Sequence, residues 1–241
     1  MLYSRDKRLQ VRSTKDFAMT NKPWNDLRLN SKWNIGCLMF IAKESNSKTF
    51  EEWERYYLNS GAIRKNLLSS KRYEKSEMSK INSEYGRTKD DLIHIAKTLS
   101  KNLNISLELA YNYVYIRVID ETWIGLNREL TGIKIIQDEC QKYGDFSVSP
   151  VDYNTDIKYA VDFEIKDKIT NSTILAIQLK SVNYKNSNLD GVLDIKPINI
   201  KKNARYTKEF NVDVLYLYID KYNIVNLNDL SNFLNKYTTN K

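Results

Sequence analysis

Cysteine and histidine are nearly absent from this chain. Its 241 residues hold two cysteines, Cys37 and Cys140, and one histidine, His94. Two thiols build no disulfide framework, and with a single imidazole they build no zinc site. They read as free thiols in a reducing compartment, and the lone His94 excludes most histidine-dependent catalysis. Chemistry, if present, must run on carboxylates, amides and lysines. Proline (3) and glycine (7) are also scarce, which argues against a loop-rich or low-complexity chain. No apolar run approaches the roughly 20 residues that cross a bilayer, the longest being Ile35–Ala42. The opening MLYSRDKRLQVRS is basic but leads into no apolar stretch and no small-residue cleavage site. No signal peptide is expected, and the expected location is the cytoplasm.

What is present is the material of a folded protein: 41% hydrophobic and 28% charged residues, enough for one large domain or two small ones. The net charge is +8, and it is unevenly placed. Residues 1–100 hold 20 Lys/Arg against 12 Asp/Glu, whereas residues 101–241 hold 18 of each. The surplus concentrates at Arg5–Lys15 and Arg64–Lys75. Such a block is either a solvated basic face or a region that neutralises phosphates, and charge alone leaves both open. The neutral remainder would have to bind by shape and chemistry.

The patterning predicts helices first. Thr49 and Glu52 form a capping box that opens FEEWERYYLNS, which Gly61 is expected to close. Residues 60–86 read as broken helix or linker. Thr88 caps DDLIHIAKTLSKNL, with Leu92, Ile95, Ala96 and Leu99 as its apolar stripe and His94 as a surface residue. Ser106 opens SLELAYNYVYIRVI. Thr122 then begins a long amphipathic helix running to Gly144, with Trp123, Leu126, Leu130, Ile133 and Ile136 on its buried side. The texture changes after it, to strands at 146–149, around 159–165 and at 173–181, the last two forming a hairpin through KDKITNS. A helix is expected at 198–209, and VDVLYLYI (212–219) suits a buried central strand. LNDLSNFLNKY forms the last helix. The fold class is α/β (α+β), a mixed central sheet flanked by helices behind an N-terminal helical region.

One constellation carries chemistry. Gln178 and Lys180 are two apart on a strand and so share a face. If the hairpin pairs as expected, Asp162 joins them at one end of the sheet. Phosphodiester hydrolysis needs a hard divalent cation to polarise the phosphoryl group and acidify a water. Mg²⁺ accepts a single carboxylate supplemented by amide and backbone carbonyl oxygens, here Asp162, Gln178 and the carbonyl of Leu179. A lysine beside it can orient the water and stabilise developing negative charge.

Asp162 followed by Gln178-Leu179-Lys180 resembles the PD-(D/E)xK nuclease core of type II restriction endonucleases. Glu129 in WIGLNREL resembles the acidic residue these enzymes carry on the preceding helix, and the element order agrees. The resemblance covers roughly residues 120–220. Over FEEWERYYL through RVIDETWIG the chain is also similar to archaeal and bacterial restriction enzymes. Val161 replaces the family's proline. Gln178 replaces the usual carboxylate, as in some enzymes of this fold, removing one negative charge from the metal site and giving Glu129 more of the binding. Asp156 is an alternative metal aspartate if the hairpin is longer.

The resemblance implies a basic, mainly helical DNA-binding region over 1–119 and a nuclease core over 120–241. It implies Mg²⁺-dependent, sequence-specific cleavage of double-stranded DNA, with Asp162, Gln178 and Glu129 at the metal and Lys180 acting on the water. A homodimer on a short palindrome and a cognate DNA methyltransferase as genetic partner follow from it, and no membrane. Arg64, Lys65, Lys71, Arg72, Asn183, Tyr184, Lys185, Lys201, Lys202 and Arg205 are candidate DNA contacts, each equally readable as a solvated surface cation. Two rival readings stand beside this one: a structure-specific or repair nuclease of resolvase type, and a non-catalytic DNA-binding protein.

Overall fold

The computed structural model describes residues 1–182, 197–220 and 223–239. The chain forms two compact units, Met1–Leu126 and Asn127–Lys241.

The first unit is helical: α1 (Arg5–Arg12), α2 (Lys15–Met19), α3 (Asn21–Asp26), α4 (Lys32–Ile35), α5 (Leu38–Ser45), α6 (Phe50–Ser70), α7 (Lys75–Glu84), α8 (Lys89–Leu103) and α9 (Leu107–Tyr115). The Thr49–Glu52 and Thr88–Asp91 capping boxes start α6 and α8 as the sequence predicts. Gly61 does not end its helix, because α6 runs on to Ser70; residues 60–86 are the broken helix of the two alternatives, α6 giving way to α7 at Lys75, and not a linker. The glycine serves packing instead. A Cβ there would lie 2.2 Å from the carbonyl carbon of Arg87, and one at Gly86 would lie 2.1 Å from the Tyr57 oxygen. Two backbones touch at this point, so neither position admits a side chain.

Buried Trp53, Tyr57, Leu92, Leu99, Ile116 and Ile119 form the core of this unit. The polar tips are satisfied, with Trp53 donating to the Ile119 carbonyl at 3.1 Å and Tyr57 to that of Ile35 at 2.9 Å. Arg87, 1% exposed, donates to the carbonyls of Lys32, Trp33, Asn82, Tyr85 and Gly86, joining α4 to the end of α7. After α9 a π-helical turn, Ile116–Asp120, carries the chain without a break into α10 (Glu121–Cys140). Thr122 is thus interior to a helix and not its cap. Asp120 in that turn pairs with buried Arg8 at 2.7 Å.

In the second unit follow β1 (Phe146–Pro150), α11 (Tyr153–Tyr159), β2 (Phe163–Asp167), β3 (Ser172–Ser181), α12 (Pro197–Phe210), β4 (Val214–Ile219) and α13 (Leu227–Thr239). The sheet order is β1-β2-β3-β4, with β1–β2 and β2–β3 antiparallel and β3–β4 parallel. Phe163, Ile165, Leu175, Ile177, Leu179, Leu217 and Ile219 pack with Ile136 and Cys140 of α10 and Leu230 and Leu234 of α13. Val161 and Ala176 pack with Tyr159, Tyr206 and Val212 in a separate cluster that includes residues of α11 and α12. The mixed sheet flanked by helices is the expected class.

Four local expectations are corrected. The second strand starts at Phe163 and not near Tyr159, because Tyr159 closes a helix, α11, that Asp152 caps by accepting from the N–H groups of Asn154 (2.9 Å) and Thr155 (3.1 Å). Leu130 is 54% exposed and lies off the buried side of α10. That helix ends at Cys140, before Gly144. β4 is the outermost strand of the described sheet, not a central one. Its outer edge is closed by Asn226, whose amide donates to the Tyr216 carbonyl and accepts from the Tyr218 N–H, both at 2.8 Å. These edge groups are thereby engaged within the chain.

Candidate active site

The hairpin register places Phe163 opposite Ile177. Asp162, one residue earlier, extends the ladder: its N–H donates to the Ile177 carbonyl at 2.8 Å. It thus stands at the strand end beside Gln178. Its Oδ2 accepts the Leu179 N–H at 2.6 Å, which fixes the carboxylate against β3. Asp162 keeps some surface, yet protein atoms surround its carboxylate closely. That desolvation lifts its pKa to about 6. The positive charge of Lys180 opposes the rise, while the carboxylates of Glu129 and Asp156 add to it. Lys180, Glu129 and Asp156 therefore all act electrostatically on Asp162.

Gln178 is 1% exposed, and its Oε1 has no hydrogen-bond partner among the described residues. A buried amide oxygen without a donor costs about 1–3 kcal/mol, so it points to a ligand that completes it. Lys180, two residues on, is half-buried on the same side of β3. Glu129 lies on α10 one turn before Gly132. A Cβ at Gly132 would meet Leu179 Cδ2 at 2.4 Å, so the glycine lets α10 lie close on β3. Asp156 sits on α11, outside the hairpin. Glu164, next on the Asp162 side of β2, is engaged by Tyr206 (2.6 Å) and Lys166 (3.3 Å).

This donor set suits a hard cation with few protein ligands. Among the described residues no three His, Cys, Asp or Glu side chains gather as a metal cluster. The set is a carboxylate, a neutral amide oxygen lacking a donor and a second carboxylate within electrostatic range. Mg²⁺, which retains several waters, tolerates such a sparse set.

Two tyrosines absent from the sequence reading belong to this neighbourhood. Tyr216 is the β4 partner of Gln178, and Tyr218 that of Lys180. The hydroxyl of Tyr216 donates to Asn203 Oδ1 on α12. Burial, Tyr218 and Asp162 hold the Tyr216 phenol above its ordinary pKa. The alternation in VLYLYI signals that the tyrosines share a face, but not which strand lies beside them.

The candidate DNA contacts divide. Lys71 and Arg72 are exposed between α6 and α7, and Lys201 and Arg205 are exposed on α12. Arg64 turns inward, donating to Asn82 at 2.9 Å and lying 3.8 Å from Asp91. Lys65 lies 3.5 Å from the same carboxylate. Lys202 donates to the Ile157 carbonyl and ties α12 to α11. Asn183, Tyr184 and Lys185 lie outside the described residues. No described helix is long and apolar enough to cross a membrane.

No curated protein and no solved structure matches the chain. The model of the MjaI restriction endonuclease family does, over residues 19–227. That span takes in most of the helical unit together with the sheet, Asp162, Gln178 and Lys180. The chain belongs to the MjaI restriction endonuclease family and is a type II restriction endonuclease, a hydrolase that cuts DNA site-specifically.

Proposed function

We propose that Asp162, Gln178, Glu129 and Lys180 form a PD-(D/E)xK-type centre that uses Mg²⁺ to cleave both strands of a short palindrome. The observation that carries this is the donorless, buried Oε1 of Gln178 beside the desolvated carboxylate of Asp162. Asp162, Gln178 and the Leu179 carbonyl would hold the ion, supported by Glu129. When bound, the ion supplies positive charge that polarises the phosphoryl oxygen and lowers the pKa of a water. The ammonium of Lys180 orients that water and stabilises charge developing on the phosphoryl oxygens. The half-buried setting strengthens this contribution by lowering the local dielectric.

The basic region 1–119 serves DNA binding in this reading, with Lys71, Arg72 and Lys65 meeting phosphates. Lys201 and Arg205 do the same from α12 in the core 120–241. A homodimer matches its twofold axis to that of the palindrome. A cognate methyltransferase protects the host DNA, and the enzyme works in the cytoplasm. Incubation with phage DNA and Mg²⁺ should yield discrete bands; smears or intact DNA would favour the resolvase-like or non-catalytic alternatives.

Gln178→Glu sharpens the test. The substitution keeps the volume and adds a charged oxygen. Without metal the new carboxylate is repelled by Asp162 and Glu129, but a doubly charged ion reverses the balance. The Mg²⁺ concentration for half-maximal cleavage should fall by roughly three- to tenfold. A titration in which the variant needs as much Mg²⁺ as the wild type, or more, removes Gln178 from the ligand set.

A further inference from the structure

We propose that Asn203 is a positioning residue for the metal-binding end of the sheet, holding Asp162 and the neighbour of Gln178 in register from α12. The proposal rests on the reading of Asp162 as a metal ligand. Asn203 is 6% exposed, and every polar atom of its amide is used. Its Nδ2 donates to the carbonyls of Tyr159 at 3.1 Å and Ala160 at 3.0 Å. Its Oδ1 accepts the hydroxyl of Tyr216, the strand partner of Gln178. One side chain thus joins the backbone just before Asp162 to the residue alongside Gln178.

The backbone it grips is a place where the chain needs holding. Ala160 has φ 55, in the left-handed region that alanine enters only against crowding by its Cβ. Its N–H closes α11 by donating to the Asp156 carbonyl at 2.8 Å, and the chain then turns through Val161 into Asp162. The Tyr159 and Ala160 carbonyls at this helix end find donors in Asn203. Small rotations at Ala160 would swing Asp162, two residues on, away from the Leu179 N–H and from Gln178. Asparagine is a weak helix former, and one buried in mid-helix is locally unfavourable. The amide is nonetheless the group that fits, with two donors for two carbonyls and an acceptor for a phenol. A carboxylate would set an oxygen against the carbonyls, and leucine would leave all three partners unsatisfied.

Groups that orient ligands from behind typically carry 10- to 100-fold in metal affinity or rate. Asn203→Asp should therefore lower Mn²⁺ affinity, measured by calorimetry without DNA, by roughly tenfold or more, and lower kcat in Mg²⁺ comparably. Tyr216→Phe, which removes one hydroxyl and little volume, should move both in the same direction by less. Binding of a duplex carrying the cut site, measured by anisotropy in Ca²⁺, should stay near wild type. Lys158→Ala breaks another tie between α11 and α12, the 3.2 Å pair with Glu209. It should leave Mn²⁺ affinity and kcat unchanged. Wild-type Mn²⁺ affinity and rate in both Asn203→Asp and Tyr216→Phe overturn the proposal, as does an equal loss in Lys158→Ala, which would reduce the role to packing. If Asn203→Asp does not fold, Tyr216→Phe decides alone. Asp162→Ala runs in parallel: its retained activity would remove the underlying site, whereas an inactive Asp162→Ala beside normal Asn203 variants removes only this inference.

Discussion

Lys180→Ala and Asp162→Ala should each lower the cleavage rate by on the order of 10²–10³-fold or more, while both proteins should still bind cognate DNA in Ca²⁺. The reasoning lies in where the two groups act. Asp162 sits at the sheet end with one oxygen fixed by the Leu179 N–H at 2.6 Å. Lys180 stands on the same side of β3, close enough for its charge to oppose the desolvation of that carboxylate. In the proposed centre both would serve charge that appears in the transition state, so their removal should be felt in rate and little in ground-state binding. Asp156→Ala should cost less, because Asp156 is held on α11, outside the hairpin. Single-turnover cleavage assays with saturating enzyme read the chemical step directly. A normal rate in either variant would remove that residue from the site, and a greater loss in Asp156→Ala would exchange the two aspartates.

How much of this was legible depended on range along the chain. The Asp162–Gln178–Lys180 set was readable because a hairpin brings its members together and strand alternation fixes their side. Capping boxes at Thr49 and Thr88 were readable because each spans four residues. Gly61 misled because its role is set by Arg87, far along the sequence, at a 2.2 Å approach that no local pattern encodes. The helix α11 was missed because seven residues between two strands carry too little periodicity to stand out. Asn203 and Tyr216 escaped for a third reason. They belong to α12 and β4, and the parallel β3–β4 register that sets Tyr216 beside Gln178 is fixed by a crossover rather than by a turn. The basic stretch was seen as one feature, yet the fold divides it: Arg64 is held by Asn82 and Asp91, while Lys71 and Arg72 face solvent.

Without divalent metal, Asp162→Asn should melt above the wild type at pH 8 and level with it near pH 4. The sign follows from the direction of the shift. The carboxylate of Asp162 has its pKa lifted to about 6 in the folded protein, above the ordinary aspartate value of about 3.9 that the unfolded chain shows. Folding therefore favours the protonated form. As pH rises through about 6 the folded state must carry a desolvated charge, and stability falls by an amount fully expressed above that pH and absent below about 4. The full shift corresponds to about 3 kcal/mol, and the surface that Asp162 retains brings this to on the order of 1–3 kcal/mol. Asparagine removes the charge at nearly constant volume and keeps an oxygen for the Leu179 N–H. The comparison is made by thermal unfolding in EDTA at both pH values. Saturating Mg²⁺ should then reverse the order at pH 8, since an ion that binds only the folded wild type stabilises it by mass action and leaves the variant behind. A variant that melts below the wild type at pH 8 in EDTA would show that Lys180 and the Leu179 N–H already outweigh the desolvation. In that case the carboxylate needs no cation, and the argument from charge burial for a metal at this end of the sheet fails.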